Sequence, residues 1–494
     1  MMSIRGVSVS FVILAMVCIA FADIEVIAAD PWSEFGRIGL GFITPSFFSW
    51  SELLTSLANT IAFALVGVAV AAGLGLLLAP FFHWRVVRLF CSFIRSVHEL
   101  FWALLFLQVF GLHTVTGLLA IIIPFTGIFT KVYAEILEEV DQRPLNALPI
   151  KALNTGSAYI YARLAVAWPQ LVIYTRYRLE CGIRSSSVLG FVGLPTLGFH
   201  LETYFKQGDY SQAAGVLYLF FLIIASLRLW THRRGLLILL LASLIWLPFE
   251  LSTNPEIILR FLTHDILPQP MRDAASLLDV SVWADMFNWC VKLVQTQVGI
   301  GVWNTLLLTM ISLVGSGIVT LLLYPLVSPL FFRKRWRLPG HLFLVVLRSI
   351  PELMLAFVVV VMVGPSMLPA IIALSLHNGA IIAHLIGHST ITLKLPLGAA
   401  RGLNRYAYEV TPRIYRPFLA FLFYRWEVIL RESAILGILG IHTLGFYVDS
   451  AFEELRFDRA LFLILITALL NILVDIVSRR IRKQLRLTAL PEIR

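Results

Sequence analysis

The chain has 494 residues, of which 59% are hydrophobic and 14% charged, and its formal net charge is +10. Soluble domains carry about 25% charged residues, so the composition excludes an ordinary soluble protein and points to a polytopic membrane protein. The positive charge sits in short loops between apolar spans, which argues against nucleic acid as a partner.

A first apolar run covers Val7 to Ala22 and is followed by Asp23 and Glu25. It has no convincing cleavage site, so it reads as a first transmembrane helix reaching roughly to Ala29 rather than a signal peptide. Trp32 to Trp50, rich in aromatics and Gly, fits a segment at the outer interface. About 20 residues are needed to cross the hydrocarbon. Such spans fall near Leu53–Phe82, Val87–Phe110, Thr114–Ile136, Trp168–Leu189 and Ala213–Trp230. They continue near Leu236–Leu251, Gly299–Phe331, His341–Val363, Met367–His388, Phe418–Leu439 and Ala460–Val477. With the first helix this predicts an all-α membrane protein of about twelve transmembrane helices.

Lys and Arg alternate between loops. One set of loops holds Arg85 and Arg88; Arg143, Lys151 and Arg163; Arg228, Arg233 and Arg234; Arg333 to Arg337; Lys394 to Arg416; and Arg479 to Lys483. The intervening loops hold only scattered ones such as Arg37, Lys206 and Arg260. The positive-inside rule then predicts that both termini lie in the cytoplasm. The longest non-spanning stretch, Ser252 to Val298, reads as partly helical and interfacial.

The chain is also a repeat. Arg178 to Gly198, RLECGIRSSSVLGFVGLPTLG, returns as Arg425 to Gly445, RWEVILRESAILGILGIHTLG. Arg178, Glu180, Arg184, Leu189, Gly190, Gly193 and Gly198 match Arg425, Glu427, Arg431, Leu436, Gly437, Gly440 and Gly445 at a constant offset of 247. Asn59-Thr60 matches Asn304-Thr305, Arg95-Ser-x-x-Glu99-Leu matches Arg348-Ser-x-x-Glu352-Leu, and Gly127 matches Gly379. Two repeats are expected, 1–232 (core about 53–232) and 233–494 (core about 299–486). Six spans each is an even number, so the repeats are parallel. Charges within a membrane segment usually face a protein interior or an aqueous path. Arg178, Glu180, Arg184, Arg425, Glu427 and Arg431 are therefore either path residues or own-helix pairs that hold helices together. Gly190, Gly193, Gly198, Gly437, Gly440 and Gly445 mark a bend or gate. Glu99 and Glu352 fit structural pairing with Arg95 or Arg348.

Cys18, Cys91, Cys181 and Cys290 show no paired spacing, so neither disulfides nor a metal site is expected. His98, His113, His377, His384 and His388 lack a repeated ligand geometry. His384 and His388 are four apart on one helix, a zinc-compatible spacing, but no third ligand is evident in the sequence. No G-x-x-x-x-G-K-[ST] phosphate loop occurs in it.

Two inside loops, Glu138–Ala167 and Ser389–Pro417, are long, with the periodicity of short amphipathic helices. Here the sequence resembles the inner-membrane permeases of binding-protein-dependent ABC importers, whose coupling loop reads E-A-A-x3-G-x9-I-x-L-P. Ala152, Gly156 and Pro169 fit the first copy, with Ile150 at the Glu position and Val166 at the Ile position. Ala399, Ala400, Ile414 and Pro417 fit the second, with Gly398 at the Glu position and Asn404 at the Gly position. PQLVIYTRYRLECGIRSSSVLGFVG, from Pro169, is similar to the segment that follows this loop in phosphonate-type permeases, as are the Arg-Ser-x-x-Glu-Leu motifs. The resemblance implies a fused pair of type I importer permeases. It implies two cytoplasmic ATPase subunits as partners, an extracytoplasmic solute-binding protein, ATP used by the partner, and no cofactor bound directly. The implied cargo is phosphonate or a related phosphorus oxyanion. Another small solute, or an ion-coupled secondary transporter with parallel six-helix repeats, are the alternative readings.

Overall fold

The hydrocarbon interior offers no water to backbone amides, so a spanning chain of this composition must satisfy them within helices or a closed barrel. The computed structural model takes the first course. It describes residues 3–28, 30–47, 49–139, 156–248, 254–274, 276, 279–393, 395, 398 and 400–487, and no strand occurs among them.

In chain order the helices used below are α1 (Ile4–Phe21), α2 (Pro31–Ile43), α3 (Trp50–Leu78), α4 (Arg85–Ser96), α5 (Glu99–Phe110) and α6 (Thr114–Glu139). They continue with α7 (Ala165–Val188), α8 (Leu197–Gln207), α9 (Tyr210–Trp230), α10 (Arg233–Trp246), α11 (Val280–Leu293) and α12 (Gly299–Leu323). The last are α13 (Lys334–Ser349), α14 (Glu352–Val363), α15 (Met367–Ser389), α16 (Thr411–Ile435), α17 (Leu444–Glu453) and α18 (Phe457–Gln484).

Among the described residues, 7 helices are long and apolar enough to cross a membrane, or up to 10 if each of three bent pairs counts once. The twelve expected from sequence are thus not reached by length and composition. The shortfall has two sources. α10 has only 14 residues. α7 carries Arg176, Arg178, Glu180 and Arg184 within its 24 residues, too much charge for an unassisted span.

Two expected straight spans are bent. α4 and α5 meet at 89°, and α13 and α14 at 91°. The break at Val97–His98 is capped by His98, whose Nδ1 accepts the Leu100 amide at 3.2 Å. The matching break ends on Pro351, which has no amide hydrogen to extend the preceding helix. α1 also stops earlier than expected. From Asp23 the chain runs out of the helix, and the Ile27 and Ala28 amides donate to the Val363 carbonyl at 2.8 and 3.1 Å.

The structure falls into two units, Leu40–Ile258 and Met1–Gly39 with Leu259–Arg494. In the first, α3 packs along α6 and α7, α4 and α5 lie on α6, α10 covers α3, and α8 docks on α9. In the second, α12 packs along α15 and α16, α13 and α14 lie on α15, α1 covers α12, and α17 docks on α18. One plan is therefore built twice. The covering helices are exchanged in sequence: α10, which precedes the second core helix α12, covers α3, and α1, which precedes α3, covers α12. Cys18 of α1 is a packing residue there, buried against Leu307 and Ile311.

Five buried hydroxyls on the core helices bond to their own helix. Thr60, Thr130, Thr305, Ser316 and Thr320 each donate to the carbonyl four residues back, at 2.6 to 2.7 Å. This lets polar side chains line helix–helix contacts without an unsatisfied donor.

Candidate functional site

The repeated stretch folds the same way in both units. α7 tightens into a short 3-10 turn, Leu189–Val192, and Gly193 follows at φ 92°. α16 tightens into Leu436–Leu439, and Gly440 follows at φ 80°. The chain then turns into α8 or α17. At this elbow two backbone segments touch. A Cβ on Gly190 would collide with the Phe199 amide nitrogen, and one on Gly437 with that of Phe446. Gly198 and Gly445 are the residues that approach them.

The matched Asn-Thr pairs clamp the elbow. Asn59 Nδ2 donates to the Pro195 carbonyl at 2.9 Å, and Asn304 Nδ2 to the His442 carbonyl at 2.8 Å. The Leu197 amide donates to Thr60 Oγ1 at 2.9 Å, and the Leu444 amide to Thr305 Oγ1 at 3.0 Å. Each Thr caps the first turn of the helix after the elbow. Sequence comparison finds this dipeptide only as a mark of duplication, because its partners lie some 136 to 139 residues away.

Arg178, Glu180, Arg184, Arg425, Glu427 and Arg431 are all half-buried. The first pair of matched arginines is held by different chemistry in each unit. Arg178 donates from Nε to the Tyr174 hydroxyl at 3.0 Å, and its guanidinium lies 5.5 Å from the centre of the Phe125 ring. That is a cation–π setting. Arg425 donates from Nε to Asn378 Oδ1 at 2.7 Å and lies 3.7 Å from Glu432 Oε1. Asn378 Nδ2 in turn donates to Glu432 Oε2 at 2.8 Å. A planar guanidinium, an amide and a carboxylate thus form one buried relay, with the amide oxygen facing the cation and the amide nitrogen facing the anion. Arg184 approaches Cys181 Sγ at 3.4 Å.

The matched carboxylates at the helix bends belong to the same neighbourhoods. Glu99 accepts from Ser185 Oγ at 2.6 Å and sits 3.6 Å from His98 Nε2. Glu352 sits 3.7 Å from His377 Nε2. Both open a helix, where a negative charge meets the positive end of the dipole. Ser185 and Glu432 occupy the same register position, offset 247. One unit therefore presents a hydroxyl to its bend carboxylate. In the other, Glu352, His377 and Glu432 gather within 4.8 Å, ligand atom to ligand atom.

Sequence reading missed Ser185, His377, Asn378 and Glu432 as site residues. The signal was available for three of them. Ser185 and Glu432 hold one repeat position, neutral in one copy and acidic in the other, and Asn378 precedes the repeated Gly379. Replacing Ser185 by Ala is expected to cost about 1–3 kcal/mol, since the half-buried Glu99 carboxylate loses its hydroxyl donor. Thermal unfolding of the purified variant measures this, with Ser185→Thr retaining most of the stability.

Of the expected coupling residues, Ala152 and Ala399 lie outside the described residues. Gly156 opens a helical turn that runs through Tyr159–Leu164 into α7, and Pro169 sits inside α7. Asn404 ends the short helix Gly402–Asn404, which runs through Arg405–Val410 into α16, where Ile414 and Pro417 are buried. Ala400 lies just before it. Arg405 ties this stretch down, donating to the carbonyls of Ala400 and Leu330, both at 2.8 Å.

A doubled unit of apolar helices, each with a charged helix ending in a clamped glycine elbow, defines a multi-pass membrane protein built on a repeat. No family model matches the chain, and no solved structure does. Curated relatives do. The phosphate-import permease protein PhnE of Mycolicibacterium smegmatis is 25% identical over 428 residues, 81% of this chain and 78% of that protein. The phosphite transport system permease protein PtxC of Stutzerimonas stutzeri is 28% identical over 183 residues, 35% of this chain and 66% of that protein. A second protein of that organism, the transport-system permease HtxC, is 25% identical over 254 residues, 48% of this chain and 88% of that protein. The first match is longer than either repeat and runs through both, whereas half of this chain suffices to cover most of HtxC. The chain is a duplicated homologue of the ABC-importer permeases for phosphorus oxyanions.

Proposed function

We propose that this chain is the membrane-spanning permease of an ATP-driven importer that brings a phosphorus oxyanion (phosphate, phosphite or a phosphonate) into the bacterial cytoplasm. The observation that carries the proposal is the match through both repeats to a phosphate-import permease. The retention in both units of a half-buried Arg at the same elbow-forming helix supports it. Guanidinium forks match the geometry of phosphorus oxygens. Arg178, Arg184, Arg425 and Arg431 are the proposed path residues, with Glu180 and Glu427 moderating their field. Gly190, Gly193, Gly198 and their matches shape the elbow at the outer end of that path.

Energy is supplied by partners in this proposal. Two cytoplasmic ATPase subunits dock on the inside loops around Ala152, Gly156 and Pro169, and around Ala399, Ala400, Asn404, Ile414 and Pro417. A solute-binding protein delivers the anion from outside. The permease binds no cofactor directly, lies in the inner membrane, and keeps both termini in the cytoplasm. Nucleotide binding shifts the permease between states only if the ATPases bind those states with different affinity.

Uptake of labelled phosphate, phosphite and phosphonate into vesicles tests this. Expected is ATP-dependent uptake of at least one of them when the chain is reconstituted with its co-purifying ATPase and binding protein. Little is expected from the chain alone. Uptake by the chain alone under a proton or sodium gradient overturns the importer reading. ATP-dependent transport that accepts none of the three anions overturns the substrate.

A further inference from the structure

Three histidines meet in the second unit, away from the elbow and its charged helix. His384 and His388 are one turn apart on α15, and His341 comes from α13, which packs on α15. Ring centroids lie 4.6 Å apart for His384 and His388, 5.1 Å for His341 and His384, and 6.2 Å for His341 and His388. One ring nitrogen from each lies within 4.8 Å of the others. His341 and His384 are half-buried and His388 is exposed, so the cluster is open to ions from solvent. His341 is the third ligand that spacing alone does not reveal, since it lies 43 residues before His384 in sequence.

We propose that His341, His384 and His388 form a binding site for a divalent transition-metal ion of the zinc type. Neutral imidazole is a preferred ligand for zinc, copper, nickel and cobalt. Three imidazoles with one position left open are a known tetrahedral set. At zinc–nitrogen distances of about 2.0–2.1 Å, tetrahedral ligands lie about 3.4 Å apart, so the three rings need only turn and close by about an ångström. The i, i+4 pair is fixed by one helix. The third ligand from α13 makes the ion a tie between two helices at the end of α15 that leads into the second inside loop. The site is separate from the proposed anion path and does not depend on the cargo.

Cobalt(II) is the probe, because its visible absorption reports tetrahedral coordination. The full-length, tag-free protein in detergent is titrated with Co2+, then with Zn2+ in competition. Expected is one tetrahedral Co2+ per chain, displaced by Zn2+. His341→Ala, His384→Gln and His388→Ala should each weaken binding by at least about tenfold, since losing a ligand costs no less than losing a residue behind one. Zn2+ should raise the unfolding temperature of the parent and not of His388→Ala, whose exposed position lets it fold. Binding unchanged in His341→Ala and His388→Ala overturns the proposal. So does binding abolished by Glu432→Gln instead, which would place the ion at the Glu352, His377 and Glu432 cluster.

Discussion

Gly437→Ala is expected to leave no functional permease, whereas Gly440→Asn, three residues on, is expected to be tolerated. Both are glycines of the same elbow, but they are glycine for different reasons. At Gly437 the limit is space. The added carbon falls on the Phe446 amide nitrogen and lies 2.4–2.7 Å from the next backbone atoms, and backbone cannot step aside as a side-chain tip can. Overpacking typically costs about 1–3 kcal/mol, and a backbone collision falls at or above the top of that range. At Gly440 the limit is conformation. Its φ is +80°, and the nearest foreign atom to an added Cβ is Pro365 Cβ at 3.9 Å. Asn adopts that region at small cost, whereas Ala pays about 1–2 kcal/mol. Gly36→Ala, with nothing within 4 Å of the added carbon, is the neutral control. Unfolding temperature and uptake are measured for all three variants. Comparable behaviour of Gly437→Ala and Gly36→Ala would show that the elbow is not the tight contact described.

The elbow also shows what sequence could and could not give. Duplication, the glycines and the matched Asn-Thr pairs are local patterns, so an offset of about 247 exposes them. The partners of Asn59 and Thr60 are backbone groups at Pro195 and Leu197. No side-chain pattern encodes a backbone partner, and the clamp became visible only in three dimensions. The bends at Val97–His98 and Ile350–Pro351 were hidden for another reason. Hydropathy averages over a window, and apolar residues on both sides of each break fill it. The site residues Glu432 and Asn378 were passed over because neither has a like-charged or identical twin in the first repeat. Matching identical letters finds what the repeats share. It cannot find where one repeat has put a carboxylate in place of Ser185 and an amide in place of Thr126.

That divergence sets the second large effect. Arg425→Ala is expected to destabilise the protein by about 3–5 kcal/mol, the cost of removing one partner from a buried ion pair. Glu432 would keep the Asn378 amide at 2.8 Å, with its side chain 9% exposed and its carboxylate no longer facing the guanidinium. The matched change Arg178→Ala should cost less. Arg178 is held by a phenol and an aromatic face, so its loss strands no such carboxylate there. Stability and transport then separate the two roles open to Arg425. The double variant Arg425→Ala with Glu432→Gln removes both charges and leaves an amide that Asn378 can still bond. It should recover most of the lost unfolding temperature, because neutral, hydrogen-bonded polar groups are tolerated where a lone charge is not. If Arg425 meets the anion, uptake by the double variant stays at the level of Arg425→Ala despite the restored fold. If uptake returns along with stability, Arg425 serves only to neutralise Glu432, and the path in the second unit must be drawn through Arg431 instead.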